Sequence, residues 1–113
     1  MSTTFDGTGG GIISQTTAED YLSNYQQGPS YTWNQGVKGH YFNKDFFDDL
    51  LEQTGAVGIR IYYGSRVNTS NVLVPQLVLV AVDSDGNDIL SNDIIVDLSQ
   101  PCPPVCPTSG LGS

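Results

Sequence analysis

The chain is poor in the residues that carry most recognisable chemistry. Among 113 residues there are four basic side chains, one histidine, two cysteines, one methionine and one tryptophan. A single histidine excludes histidine-rich metal centres, and it has no adjoining nucleophile motif of the kind acyl transfer requires. Four Lys and Arg against twelve Asp and Glu leave a net charge of −8. Such a surface repels phosphate backbones and anionic lipid, which argues against nucleic-acid and membrane partners. No apolar run reaches the roughly 18 to 20 residues of a membrane span. The longest, residues 71–82, is broken by Pro75 and Gln76. The start, Met-Ser-Thr-Thr-Phe-Asp-Gly, has neither the basic nor the apolar stretch of a signal peptide. The expectation is cytoplasmic by default, with a composition that also suits an extracellular location.

What is present is enough for one core. Hydrophobic residues make up 38 % and aromatics 10 %, above what a disordered chain carries. Only 14 % of residues are charged, against about a quarter in ordinary domains. Lys and Glu are scarce, and these are the residues depleted where surfaces become contacts. The charge is uneven: residues 1–82 sum to −3 and residues 83–113, with five aspartates and no base, to −5.

The pattern divides the chain into a Gly-rich arm (1–15), an α+β domain (16–98) and a Pro- and Cys-containing tail (99–113). Three consecutive glycines, 9–11, prevent a helix in the arm. Its large apolar groups are Phe5, Ile12 and Ile13, candidate anchors for an interaction. A capping box of Thr16 and Glu19 starts the first predicted helix, with Ala18, Tyr21, Leu22 and Tyr25 on one buried face and Gly28-Pro29 at its end. Residues 30–36 read as a loop presenting Trp33, the best placed aromatic for an exposed contact. Residues 37–42 read as a strand. Asn43 is the expected cap of a second helix over 44–53, with Phe46, Phe47, Leu50 and Leu51 inward and Gly55 closing it. Val57, Ile59, Ile61 and Tyr63 alternate as a half-buried strand. Residues 76–82 are continuously apolar after Gln76, the mark of a central strand. Asp83 to Asp88 is a turn, and residues 89–90 and 94–96 give one or two short strands. Four prolines in the seven residues 101–107 argue against regular structure in the tail. The expected fold is two helices on one face of a small, mostly antiparallel sheet, in the order α-β-α-β-β-β, with extended tails at both ends.

A set of segments in this order is similar to a group of short bacterial proteins to which no activity is assigned. They are Tyr25-Gln26, Asn43-Lys44, the Gly-Ile-Arg-Ile-Tyr-Tyr-Gly strand at 58–64, the Leu-Val-Leu-Val-Ala-Val-Asp strand at 77–83, the Gly-Asn-Asp turn at 86–88, and Cys-Pro-Pro-Val-Cys at 102–106. The resemblance covers residues 16–107 and leaves the arm outside it. It implies the domain limits and brings no function.

The remaining candidates are few. Cys102 and Cys106 lie four apart, whereas a redox pair sits at Cys-x-x-Cys on a helix start. Four extended residues at about 3.3 Å each separate the Cα atoms by roughly 13 Å. A disulfide needs them within about 7 Å, so it requires a tight turn or a cis proline. A structural disulfide, free or buried thiols, and a redox or metal pair all stay open. Asp83 to Asp88 lacks the Gly and Glu positions of an EF-hand loop. His40 beside Tyr41, with Asp45 nearby, has no nucleophile motif, and the histidine reads as structural. The reading is a non-enzymatic structural or interaction protein, without cofactor or metal, whose partner is itself or another protein. The alternatives are a thiol redox or metal-binding protein acting through the Cys102–Cys106 tail, and a small ligand- or sugar-binding domain using loop aromatics.

Overall fold

A computed structural model describes residues 9–111, as an α+β fold. In chain order the elements are α1 (Gln15–Gln27), α2 (Pro29–Trp33), β1 (Gly39–Tyr41), α3 (Lys44–Leu51), β2 (Ala56–Val67), β3 (Leu73–Asp83), β4 (Ile95–Val96) and β5 (Gln100–Cys102). Two compact units arise, each discontinuous in sequence. Among the described residues the first comprises 9–10, 42–64 and 76–98, and the second 11–41, 65–75 and 99–111.

The first unit holds most of a three-stranded sheet in the order β2-β3-β4, with β3 central; residues 65–67 of β2 and 73–75 of β3 fall in the second. The continuous apolarity of 77–82 reflects that position: Leu79, Val80, Ala81 and Val82 are all buried. β4 runs antiparallel to β3, with Leu79 opposite Val96 and Val80 opposite Ile95. Helix α3 is capped by Asn43, whose side chain accepts from the Asp45 amide, which satisfies one of the helix's orphan donors. It contributes Leu50 to a cluster with Leu79, Ala81 and Val96, against which Phe47 and Ile59 pack. Gly55, at φ +88°, takes the left-handed conformation that lets the chain turn from helix into β2. The inward face of α3 is narrower than its periodicity suggests. Leu50 is buried and Phe47 half-buried, but Phe46 and Leu51 are exposed.

The Asp83–Asp88 turn follows the expected chemistry. Asp83 accepts from the amides of Asp85 (2.9 Å) and Asn87 (3.0 Å), and Gly86 has φ +86°. At the other end of β3, Asn68 accepts from the amides of Ser70 and Val72 and so organises the β2–β3 connection.

The second unit contains α1, α2 and a two-stranded antiparallel ribbon of β1 and β5. Helix α1 begins two residues before the expected box. Ser14 is the N-cap, accepting from the Thr17 amide at 3.0 Å, so the orphan donors of the first turn lie two residues earlier than a Thr16 cap would place them. No α1 residue is fully buried: Ala18, Leu22 and Tyr25 are half-covered and Tyr21 is exposed. Trp33 ends a short helix rather than lying in a loop. Pro29 at its first turn costs no hydrogen bond, since that N–H would have no partner. Tyr25 and Tyr31 meet edge-on at 5.7 Å, and the Tyr25 hydroxyl donates to the Val37 carbonyl.

The tail also departs from expectation, since Gln100–Cys102 is a strand. Its register sets Gly39 opposite Cys102 and His40 opposite Pro101. In a two-stranded ribbon every strand is an edge, where a proline without an N–H is tolerated.

Candidate functional site

Beyond β5 the chain turns back sharply. The Val105 amide donates to the Pro101 carbonyl (2.9 Å), the peptide bonds before Pro103 and Pro104 are cis, and Cys102 and Cys106 are joined as a disulfide with Cα atoms 4.7 Å apart. The turn thus supplies the approach that an extended pentapeptide lacks. Cys102 is 7 % exposed and Cys106 half-buried. The Lys38 amide donates to the Cys102 carbonyl at 2.7 Å, extending the ribbon by one bond. Gly39, opposite Cys102, leaves space that a Cβ would fill at 3.8 Å from the cysteine Cβ.

A cavity of about 270 Å³ adjoins the disulfide, lined by Leu22, Lys38, His40, Tyr41, Cys102 and Val105 among others. Its lining includes Lys38 and His40 and no carboxylate, an exception in a chain of charge −8. His40 Nδ1 lies 2.8 Å from the Ser99 hydroxyl, which orients the ring. His40 therefore has a hydroxyl partner in Ser99, across the tail from β1.

In the first unit, a polar network fastens the acidic turn to β2. Arg60 donates to Asp88 Oδ1 (2.5 Å) and to the Gly86 carbonyl (3.2 Å), while the Tyr62 hydroxyl donates to Asp88 Oδ2 (2.5 Å). The hydrogen bonds with Asp88 and Tyr62 hold the Arg60 guanidinium above its ordinary pKa. The carboxylates of Asp83 and Asp88 are thus committed to the turn and to this pair. No group of three or more His, Cys, Asp or Glu that could hold a metal occurs among the described residues.

A second cavity, of about 370 Å³, is lined by Asp49, Glu52, Gln53, Thr54, Asn92 and Ile94. Gln53 is buried and held at both ends of its side-chain amide: the nitrogen donates to the Leu50 carbonyl and the oxygen accepts from Asn92.

The apolar surface lies elsewhere. β2 is an edge strand, and among the described residues no strand pairs with its outer side. Along it Ile61, Tyr62, Tyr63 and Val67 are exposed, Tyr63 at 94 %. Of the residues expected to make contacts, Ile12 is fully exposed, Ile13 is half-exposed and Trp33 is 76 % exposed. Phe5 lies outside the described residues. Ile12, Ile13 and Trp33 belong to the second unit and the start of β2 to the first, so these exposed groups do not form a single described patch. Neither cavity is lined by Trp33, and Tyr41 is the aromatic residue that they include.

The alternating 57–63 segment was legible as a strand, but not its place at a sheet edge. A clue lay in the sequence: β2 carries two arginines and no acid, unusual in so acidic a chain. No helix of the described residues is long and apolar enough to cross a membrane. Comparison with protein-family models, with curated proteins and with solved structures finds no match.

Proposed function

We propose that this chain is a non-enzymatic interaction module that associates with copies of itself, through the outer edge of β2 and its terminal segments. The observation that carries this reading is the 12-residue edge strand with Ile61, Tyr62 and Tyr63 exposed in succession. Edge strands of folded proteins are usually blunted by lysine, proline or a very short length. β2 has no lysine, no proline, and a length well above the usual five or six residues. A second strand added there gains main-chain hydrogen bonds, and alternate side chains such as Ile61 and Tyr63 give the contact its specificity. The low content of Lys and Glu and the exposed Ile12 and Trp33 support the same reading. The acidic charge favours protein over nucleic acid or anionic membrane as partner.

Light scattering after size-exclusion chromatography tests this on the full chain and on a form lacking residues 1–14. The expected result is a mass above that of the monomer for the full chain, rising with concentration. A monomer in both forms at every concentration overturns the reading. A second reading, thiol–disulfide chemistry in the tail, is favoured by the unequal exposure of the two bonded cysteines.

A further inference from the structure

We propose that the Cys102–Cys106 bond is a reversible thiol–disulfide exchange site, entered at Cys106, whose opening releases β5 from β1. It is independent of self-association and stands on the second unit alone.

The two cysteines differ in exposure. Exchange requires a thiolate to approach one sulfur of the bond in line with the other, so access selects the sulfur attacked. Cys102 sits on β5 with 7 % of its surface exposed, packed against Gly39 and facing only the cavity that it helps to line. Cys106 lies past the turn and is half-buried only. Attack at Cys106 makes Cys102 the leaving group, and its surroundings suit that role. Cys102 lines the same cavity as Lys38 and His40, with no carboxylate among the lining residues. A cationic side chain such as Lys38 on the cavity into which Cys102 faces favours a departing thiolate and speeds its expulsion.

The exchange balances with a dithiol as the reductant. A thiolate of the dithiol bonds to Cys106 Sγ, the Sγ–Sγ bond breaks, and its electron pair leaves on Cys102, which takes up a proton. The second thiol of the dithiol, deprotonated, then attacks its own partner sulfur in the mixed disulfide. Cys106 is released as a thiolate and protonated. The dithiol becomes a disulfide, having given two electrons, and the chain holds two thiols. The reverse sequence with a disulfide oxidant closes the ring again.

The ribbon that carries Cys102 is short. β5 has three residues, paired only with the three of β1, and a two-stranded ribbon is marginal by itself. The bond that extends this ribbon, from the Lys38 amide, ends on the Cys102 carbonyl itself. With the ring open, the segment after Cys102 keeps the Val105-to-Pro101 turn bond but loses its covalent closure.

The experiment has two readouts on the full oxidised chain. Reduced glutathione is added, the reaction is quenched with acid, free thiols are alkylated, and peptide fragmentation locates the adduct. Glutathione is expected on Cys106 in at least about tenfold excess over Cys102. Dithiothreitol is then used to open the ring fully, and amide hydrogen exchange is compared with the oxidised form. The Lys38 amide is expected to exchange at least about tenfold faster, while Leu79 and Val80 are unchanged. Adducts on Cys102, or shared equally, overturn the proposal, as does a failure to liberate thiols. Unchanged exchange at Lys38 also overturns it. So does loss of protection at Leu79 and Val80, which would make the bond a staple of the whole fold.

Discussion

Replacing Leu50 by alanine tests the core of the first unit, and its cost can be worked from the contacts. Leu50 is fully buried on α3, among Leu79, Ala81 and Val96. The change removes three carbons, worth about 2.4 kcal/mol at roughly 0.8 kcal/mol per buried methylene. The space left is enclosed on one side by β3 and β4, whose pairing at Leu79 and Val96 limits collapse. Phe47 is only half-buried and can move into part of it, so the cavity adds less than it would in a rigid site. The expected loss is about 3 kcal/mol, inside the roughly 2 to 5 kcal/mol spanned by such replacements. Against a total of about 5 to 15 kcal/mol for an ordinary domain this is a large fraction, and Tm should fall by about 10 °C. Urea denaturation followed by far-UV circular dichroism measures it, with an unchanged slope marking a change in stability alone. Leu51→Ala, one residue along and about half exposed, is the control and should cost less than about 1 kcal/mol. If Leu50→Ala and Leu51→Ala cost the same, the assignment of the buried face of α3 is wrong.

The other predictions concern local features. Ser14→Ala should destabilise α1 by about 1 kcal/mol, while Thr16→Ala, outside the observed cap, should have a much smaller effect; helical circular dichroism separates them. Gly86→Ala places a Cβ at φ +86° and should cost about 1 to 2 kcal/mol in denaturation, with the Asp85 and Asn87 amides exchanging faster. Replacing both Cys102 and Cys106 by serine should cost at most about 2 kcal/mol, the loop-entropy value for a five-residue ring, because Pro103 and Pro104 already restrict the unfolded segment. A cost well above that, by the same assay, would mean the bond supports more than the tail and its short ribbon with β1.

How much of this was legible in the sequence depended on whether the signal was local. Asn43 and the Asp83–Gly86 turn were readable because each is decided by a side chain and a backbone within a few residues of it. The run 77–82 was readable as a central strand because burial on both faces leaves no polar alternation. Where two local solutions competed, the sequence could not choose. Ser14 and Thr16 both precede the same helical pattern, and the hydroxyl at 14 takes the cap. Periodicity marks a stripe on a helix but not how far a neighbour covers it. Hence Tyr21, Phe46 and Leu51 were expected inside and are exposed. Pro29 could have signalled α2, since proline suits a first helical turn. The strand at Gln100–Cys102 was hidden, because proline density argues against strands except at edges and edge status is a tertiary property. The exposed apolar groups were legible in part. Ile12, Ile13 and Trp33 were named from the sequence, while the exposed row on β2 was read as half-buried.

Self-association is the central claim, and the β2 edge is where it is most exposed to contradiction. Ile61 and Tyr63 share one face of that strand, both exposed, so replacing them together with lysine adds charge to the contact without opening the core. Sedimentation equilibrium of the full chain beside the Ile61→Lys, Tyr63→Lys double variant tests this directly. The account predicts a concentration-dependent mass above monomer for the full chain. The double variant should be a monomer with unchanged circular dichroism and Tm. Equal mass for both forms at every concentration, whether monomeric or associated, contradicts it.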